Sequence, residues 1–176
     1  GLKDATITII SKGGPEFIPG ETPSVKPRKY QPVTEQVGSG TPTAYGKNNP
    51  TRVSSQAAGR HGGLANDGAP STYWIAANAG SNSWWQTDLE RNLDIRKFAL
   101  SFPAEGEWRY RIEVSDDGFK WTPAVDLGTS TETSKDRNHD APAGTVGRVV
   151  RVTFTGTPAG KPAALAKFSA TGTLAR

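Results

Sequence analysis

The side chains that could carry chemistry are few and scattered. The only two histidines, His61 and His139, sit in polar stretches, and the chain has no cysteine. No HExxH pair, no serine in a nucleophile-elbow setting and no phosphate-cradling glycine pattern appears. Glycosidic hydrolysis needs two carboxylates facing each other across a sugar ring. Glu105, Glu107, Asp116 and Asp117 supply carboxyls, but nothing in their spacing marks such a pair. Asp116-Asp117-Gly118 reads instead as a hairpin turn. The segment reads as non-catalytic.

Composition narrows the remaining classes. The 176 residues carry a net charge of +4, with Gly 20 and Pro 13, and a third of the chain is hydrophobic. That suffices for one β core with an appended arm. The basic residues stand singly, the densest cluster being Lys26, Arg28 and Lys29, so the charge reads as a solvated surface and no nucleic-acid partner is expected. No apolar run approaches the length of a membrane span. The absence of cysteine excludes disulfides and says nothing of compartment.

The elements that must position any site are strands. KFALSF (97–102), WRYRIEVS (108–115), GRVVRVTF (147–154) and ALAKFSAT (164–171) each alternate apolar and polar residues with period two, and RVSSQA (52–57) reads as a shorter strand. Turns at SDDG (115–118) and TPAGKP (157–162) separate them. Ala65–Trp85 packs turn dipeptides between large aromatics, a pattern suited to plugging the end of a β-structure. Ahead of this, residues 1–11 read as one strand and 12–50 as a proline-rich linker arm, with prolines at 15, 19, 23, 27, 32, 42 and 50. The globular domain is assigned to 51–176. Because the chain opens inside a strand, it reads as a piece of a longer protein.

In this order, SSQ, ANDGAPSTYW, WWQTDL, YRIEVSDDGFKW, GRVVRVTF and AALAKFSATG resemble the discoidin domain, also known as the coagulation factor V/VIII type C domain. Within it they look most like the family 32 carbohydrate-binding modules of bacterial glycoside hydrolases. The resemblance implies an all-β, eight-stranded antiparallel jelly-roll sandwich of the galactose-binding-domain type. Both termini would lie at one end and the ligand loops at the other. Residues 1–11 resemble the last strand of an immunoglobulin-like module. With the arm, they resemble the C-terminal end of family 2 glycoside hydrolases, the β-galactosidase group.

Relatives of this kind often hold a structural calcium with a turn Asp, an Asn after the Gly, carbonyls near the Ser-Thr and a Glu on the last strand. Here Asp67 and Thr72 remain, Ala69 follows Gly68, and Lys167 stands where the Glu would be. Calcium wants six or more oxygens. The expectation is a vestigial loop with no metal and no cofactor, in which Lys167 pairs with Asp67.

Sugar recognition needs an aromatic face and polar groups for the hydroxyls. The loops that the resemblance assigns to the ligand offer Arg60 and His61 in 57–63, Asn78 in 75–83, Trp108 and Arg109 in and after 103–108, and Asn138 and His139 in 134–140. Trp74, Trp84, Trp85 and Trp121 match core or end-plug positions. By strand parity Trp108 suits burial as well as stacking. The reading is a non-catalytic module that tethers a glycoside hydrolase to galactose or N-acetylhexosamine termini, secreted, periplasmic or on a bacterial cell surface. Its partners would be glycan and the catalytic domains of the parent chain. The alternative is an accessory domain that keeps the fold and has lost its ligand. The Gly/Ala/Asn-rich loops lack the apolar spikes that membrane binding requires.

Overall fold

The computed structural model of the protein describes residues 40–80 and 82–175. The strand expected at 1–11, and the arm up to residue 39, lie outside the described residues. In chain order the strands are β1 (Thr43–Tyr45), β2 (Thr51–Val53), β3 (Trp74–Ile75), β4 (Trp84–Ser101), β5 (Arg109–Ser115), β6 (Thr122–Asp126), β7 (Asp136–Asp140), β8 (Val146–Gly156), β9 (Ala164–Leu165) and β10 (Lys167–Leu174). All pairings are antiparallel.

The registers resolve into two layers joined by β4. Residues 84–88 of β4 pair with β8 and 85–87 with β2, β8 also reaches Leu93 and Asp94, and β8 continues to β5 and β6. Residues 93–101 pair with β10 and β7, and β10 carries β1 on its far edge. Between these halves Glu90 takes φ 63, and the registers with β8 shift between Asp88 and Leu93. A strand that bends and continues in the second layer is how a jelly roll turns its corner. Trp85 of one layer meets Phe168 of the other at 5.1 Å between ring centroids.

Period-two burial follows from the pleat. Tyr110, Ile112 and Val114 are buried on β5, as are Val150, Val152 and Phe154 on β8. Phe98, Leu100, Phe168 and Ala170 close the core from the other layer. Each large side chain so buried contributes about 1.5–3 kcal/mol.

The sheet also takes in residues ahead of 51. β1 pairs with β10 from Thr43↔Gly172 to Tyr45↔Ala170, and Asn49 Nδ2 donates to the Asp88 carbonyl at 2.9 Å. Pro42 and Pro50 flank this edge strand, which is where a sheet tolerates proline. Within the segment 134–140, residues 136–140 are no loop, since β7 pairs with 97–101 of β4. The tryptophans divide. Trp74 and Trp85 are fully buried, whereas Trp84 and Trp121 lie half-exposed outside the sandwich, on either side of the Arg151 guanidinium at 4.5 and 3.9 Å. The sandwich has no room on its inner face for Trp84, because Trp85 already faces inward.

Candidate functional site

Loops 54–62, 76–80 with 82–83, 102–108, 127–135 and 157–163 gather at one end of the sandwich, held by backbone bonds between them. Ala57 N–H donates to Ile75 O at 2.9 Å, Ala76 N–H to Ala163 O at 2.8 Å, and Gly106 N–H to Thr133 O at 2.8 Å. The short pair β3–β9 closes the floor beneath them, with Trp74 Nε1–H donating to Ser55 O at 3.0 Å.

Arg60 and His61 stand on this end because of two glycines. Gly59 takes φ 69, which lets the Ala57–Arg60 turn close with a 3.0 Å bond from Arg60 N–H to Ala57 O. A Cβ on Gly62 would sit 2.8 Å from Val53 Cγ1, so only glycine lets the loop return against β2. The Arg60 guanidinium lies 4.1 Å from the centroid of the Tyr73 ring, and the Arg60 carbonyl accepts from Ile75 N–H at 3.4 Å. His61 is exposed. Asn78 is exposed on the next loop, which Ser55 Oγ anchors by accepting from Ala77 N–H at 3.1 Å. Arg60, His61 and Asn78 thus belong to neighbouring loops on one end.

The other four candidates divide. Trp108 is core: it is 1% exposed, stacks on Phe102 with centroids 5.0 Å apart, and donates from Nε1 to Ala104 O at 3.0 Å. It offers a sugar no free face. Arg109 pairs with Glu107 at 2.8 Å and borders a cavity of about 470 Å³ at the loop end, lined by Gly106, Thr133, Thr157 and Pro158. Asn138 is exposed on β7 beside Ala99. His139 points the opposite way and is half-buried, its Nε2 2.8 Å from the Tyr110 hydroxyl. Burial holds His139 below its ordinary pKa and pushes the Tyr110 phenol well above the usual tyrosine value.

Reading the sequence missed Arg137 as a structural residue. It is fully buried beneath the loop end, and its guanidinium donates to the carbonyls of Ser134 and Glu132 at 2.5 and 2.6 Å and of Gly106 at 3.3 Å. Its Nη1 lies 2.9 Å from Glu132 Oε2, an ion pair by distance whose angle is too poor for a hydrogen bond. The period-two pattern DRNHD could have found it: Arg137 and His139 share the inward parity.

The calcium loop keeps its shape by protein contacts. Asp67 accepts from Ala69 N–H at 2.8 Å and from the Thr72 hydroxyl at 2.9 and 2.8 Å. The expected Lys167–Asp67 ion pair does not form among the described residues, because Lys167 faces outward on β10. Lys47 lies against the turn instead, its Nζ 3.3 Å from where a Cβ on Gly68 would be. No group of three or more His, Cys, Asp or Glu gathers among the described residues. One carboxylate already engaged by Ala69 and Thr72, with the Lys47 ammonium against the turn, does not fit a divalent cation.

An antiparallel sandwich with polar loops gathered at one end defines a class of recognition domain. Residues 50–168 match the F5/8 type C domain, and the chain belongs to that family. Among solved structures, it is similar to a family 32 carbohydrate-binding module of a family 89 glycoside hydrolase from Clostridium perfringens, in complex with GlcNAc-α-1,4-galactose. Identity is 24%, TM-score 0.64, and the match covers 77% of this chain and 97% of that one. It is also similar to chitosan-binding module 2 of a chitosanase/glucanase from Paenibacillus sp. IK-5, in complex with chitotriose. There identity is 27% and TM-score 0.62, with 70% and 96% covered. The family 89 glycoside hydrolase of Clostridium perfringens matches at 19% identity and TM-score 0.65, over 73% of this chain and 14% of that one. No curated protein matches the sequence significantly.

Proposed function

We propose that the chain is a non-catalytic carbohydrate-binding module, and that Arg60, His61 and Asn78 hydrogen-bond sugar hydroxyls at the loop end. The observation that carries this reading is their placement on two neighbouring loops of a rigid sandwich. Long donors in small-residue loops leave room for a ring, and Tyr73 fixes the Arg60 guanidinium. The glycan-bound modules named above support the ligand class. Galactose and N-acetylhexosamine termini are the sugars to test first.

The module's service is to hold an enzyme on its substrate by raising effective concentration. We further propose a parent glycoside hydrolase of the β-galactosidase type, secreted or displayed by a bacterium, with residues 1–11 ending an immunoglobulin-like module and the proline-rich arm as linker. Glycan-array binding by the 176-residue chain tests the reading. Retention on galactose- or GlcNAc-terminated glycans, without their hydrolysis, supports it. Silence across the array would favour the accessory-domain alternative, to which the burial of Trp108 lends some weight.

A further inference from the structure

The outer face of the β10–β4–β7 layer carries a trough that the loop-end site does not use. Its floor follows from the register. Lys167 (β10), Ser101 (β4) and Asp136 (β7) lie side by side across three strands, and the next row on that face is Ser169, Ala99 and Asn138. Directly opposed residues of antiparallel strands share a face. Ala99, Ser101 and Ser169 are short, so the sheet is hollow here. Lys47 crosses from the side to form one wall with Lys167, enclosing about 360 Å³. An adjoining hollow of about 280 Å³, bordered by Lys135, Tyr73 and Ser71, shares Ser101, Asp136 and Lys167 with it. Both volumes are near those of small-ligand sites.

The charges are one-sided. Lys47, Lys135 and Lys167 are exposed, and none forms an ion pair among the described residues. The trough's one carboxylate, Asp136, already accepts from the Ser101 hydroxyl. Three ammonium groups around a floor of hydroxyls and one amide match a ligand that carries both hydroxyls and an anionic group. Nucleobases would need exposed aromatic faces, whereas Phe168 and Phe102, which border the two hollows, are buried and Tyr73 is covered by Arg60.

We infer that this trough binds an acidic polysaccharide, a chain of sugar rings bearing carboxylate or sulfate groups, with Lys47 and Lys167 holding the anion and Ser101, Ser169 and Asn138 the hydroxyls. The inference extends the carbohydrate reading to a second surface and rests on it for the ligand class.

The test is affinity electrophoresis of the 176-residue chain in polygalacturonate, heparin and neutral galactan. Polygalacturonate and heparin separate carboxylate from sulfate as the anion. Retardation by at least one acidic polymer should exceed that by galactan and fall as salt rises from about 0.05 to about 0.5 M. Lys47→Ala with Lys167→Ala should weaken it on the order of fivefold to tenfold. Ala99→Trp, which fills the floor without changing charge, should do the same, while Lys120→Ala on the far hairpin should not. Weakening by Lys120→Ala in proportion to its one lost charge, with Ala99→Trp retarded like the native chain, would reduce the effect to net charge and overturn the inference. So would single-stranded DNA binding more tightly than both polymers. Galactan binding that is sensitive to His61→Ala is read separately, so the trough can fail while the loop-end site stands.

Discussion

The Arg60 guanidinium rests on the Tyr73 ring at 4.1 Å, which ties the first loop of the recognition end to the segment leading into β3. A side chain so fixed has less freedom to lose when it meets a ligand. Tyr73→Ala should therefore weaken glycan binding several-fold while costing no more than about 1 kcal/mol of stability. Isothermal titration and thermal melting on one preparation check both. A binding constant that does not change would mean that Arg60 is not a ligand contact.

Arg137 holds the 102–108 and 127–135 loops together through three carbonyls in a dry setting. Arg137→Ala leaves those carbonyls without their donor and Glu132 without its ion-pair partner. A loss of about 3 kcal/mol is expected from chemical denaturation. Trp108→Ala belongs with it, at about 3–5 kcal/mol, and neither variant is a clean probe of sugar contact.

The layers were readable because period-two burial is written directly into the sequence at 108–115, 147–154 and 164–171. The site was readable only in part, since a loop's residue types do not say which way it folds. Trp108 and His139 obey strand parity and turn inward, while the pairing of β7 with β4 depends on contacts nearly forty residues apart, visible only in the register. Lys47 shows the same limit. Its approach to Gly68 joins two segments that no local pattern connects.

His139 makes stability pH-dependent. Burial holds its folded pKa below the ordinary 6.5, so the unfolded chain takes up the proton more readily. Stability from this group is full above about pH 6.5 and declines as the pH falls through the window beneath it. Urea midpoints at about pH 7.5 and about pH 5.5 should differ more for the native chain than for His139→Gln. An equal pH dependence in the two proteins would show that the Tyr110–His139 pair is not the source.

Calcium should leave the melting temperature where it is, as should its chelation, because Asp67 is already engaged by Ala69 and Thr72. A rise with calcium concentration would reveal a donor set that Lys47 does not exclude.

The most direct measurement is titration of galactose- and N-acetylhexosamine-terminated oligosaccharides into the native chain and into the Arg60→Ala and His61→Ala variants. The account predicts saturable binding by the native chain. Each substitution should weaken it on the order of tenfold, as expected for loss of a hydrogen bond from a polar or charged donor, with melting unchanged in His61→Ala and lowered in Arg60→Ala by no more than loss of the Tyr73 contact. Binding that both substitutions leave intact, or no binding to any of these sugars, would contradict it.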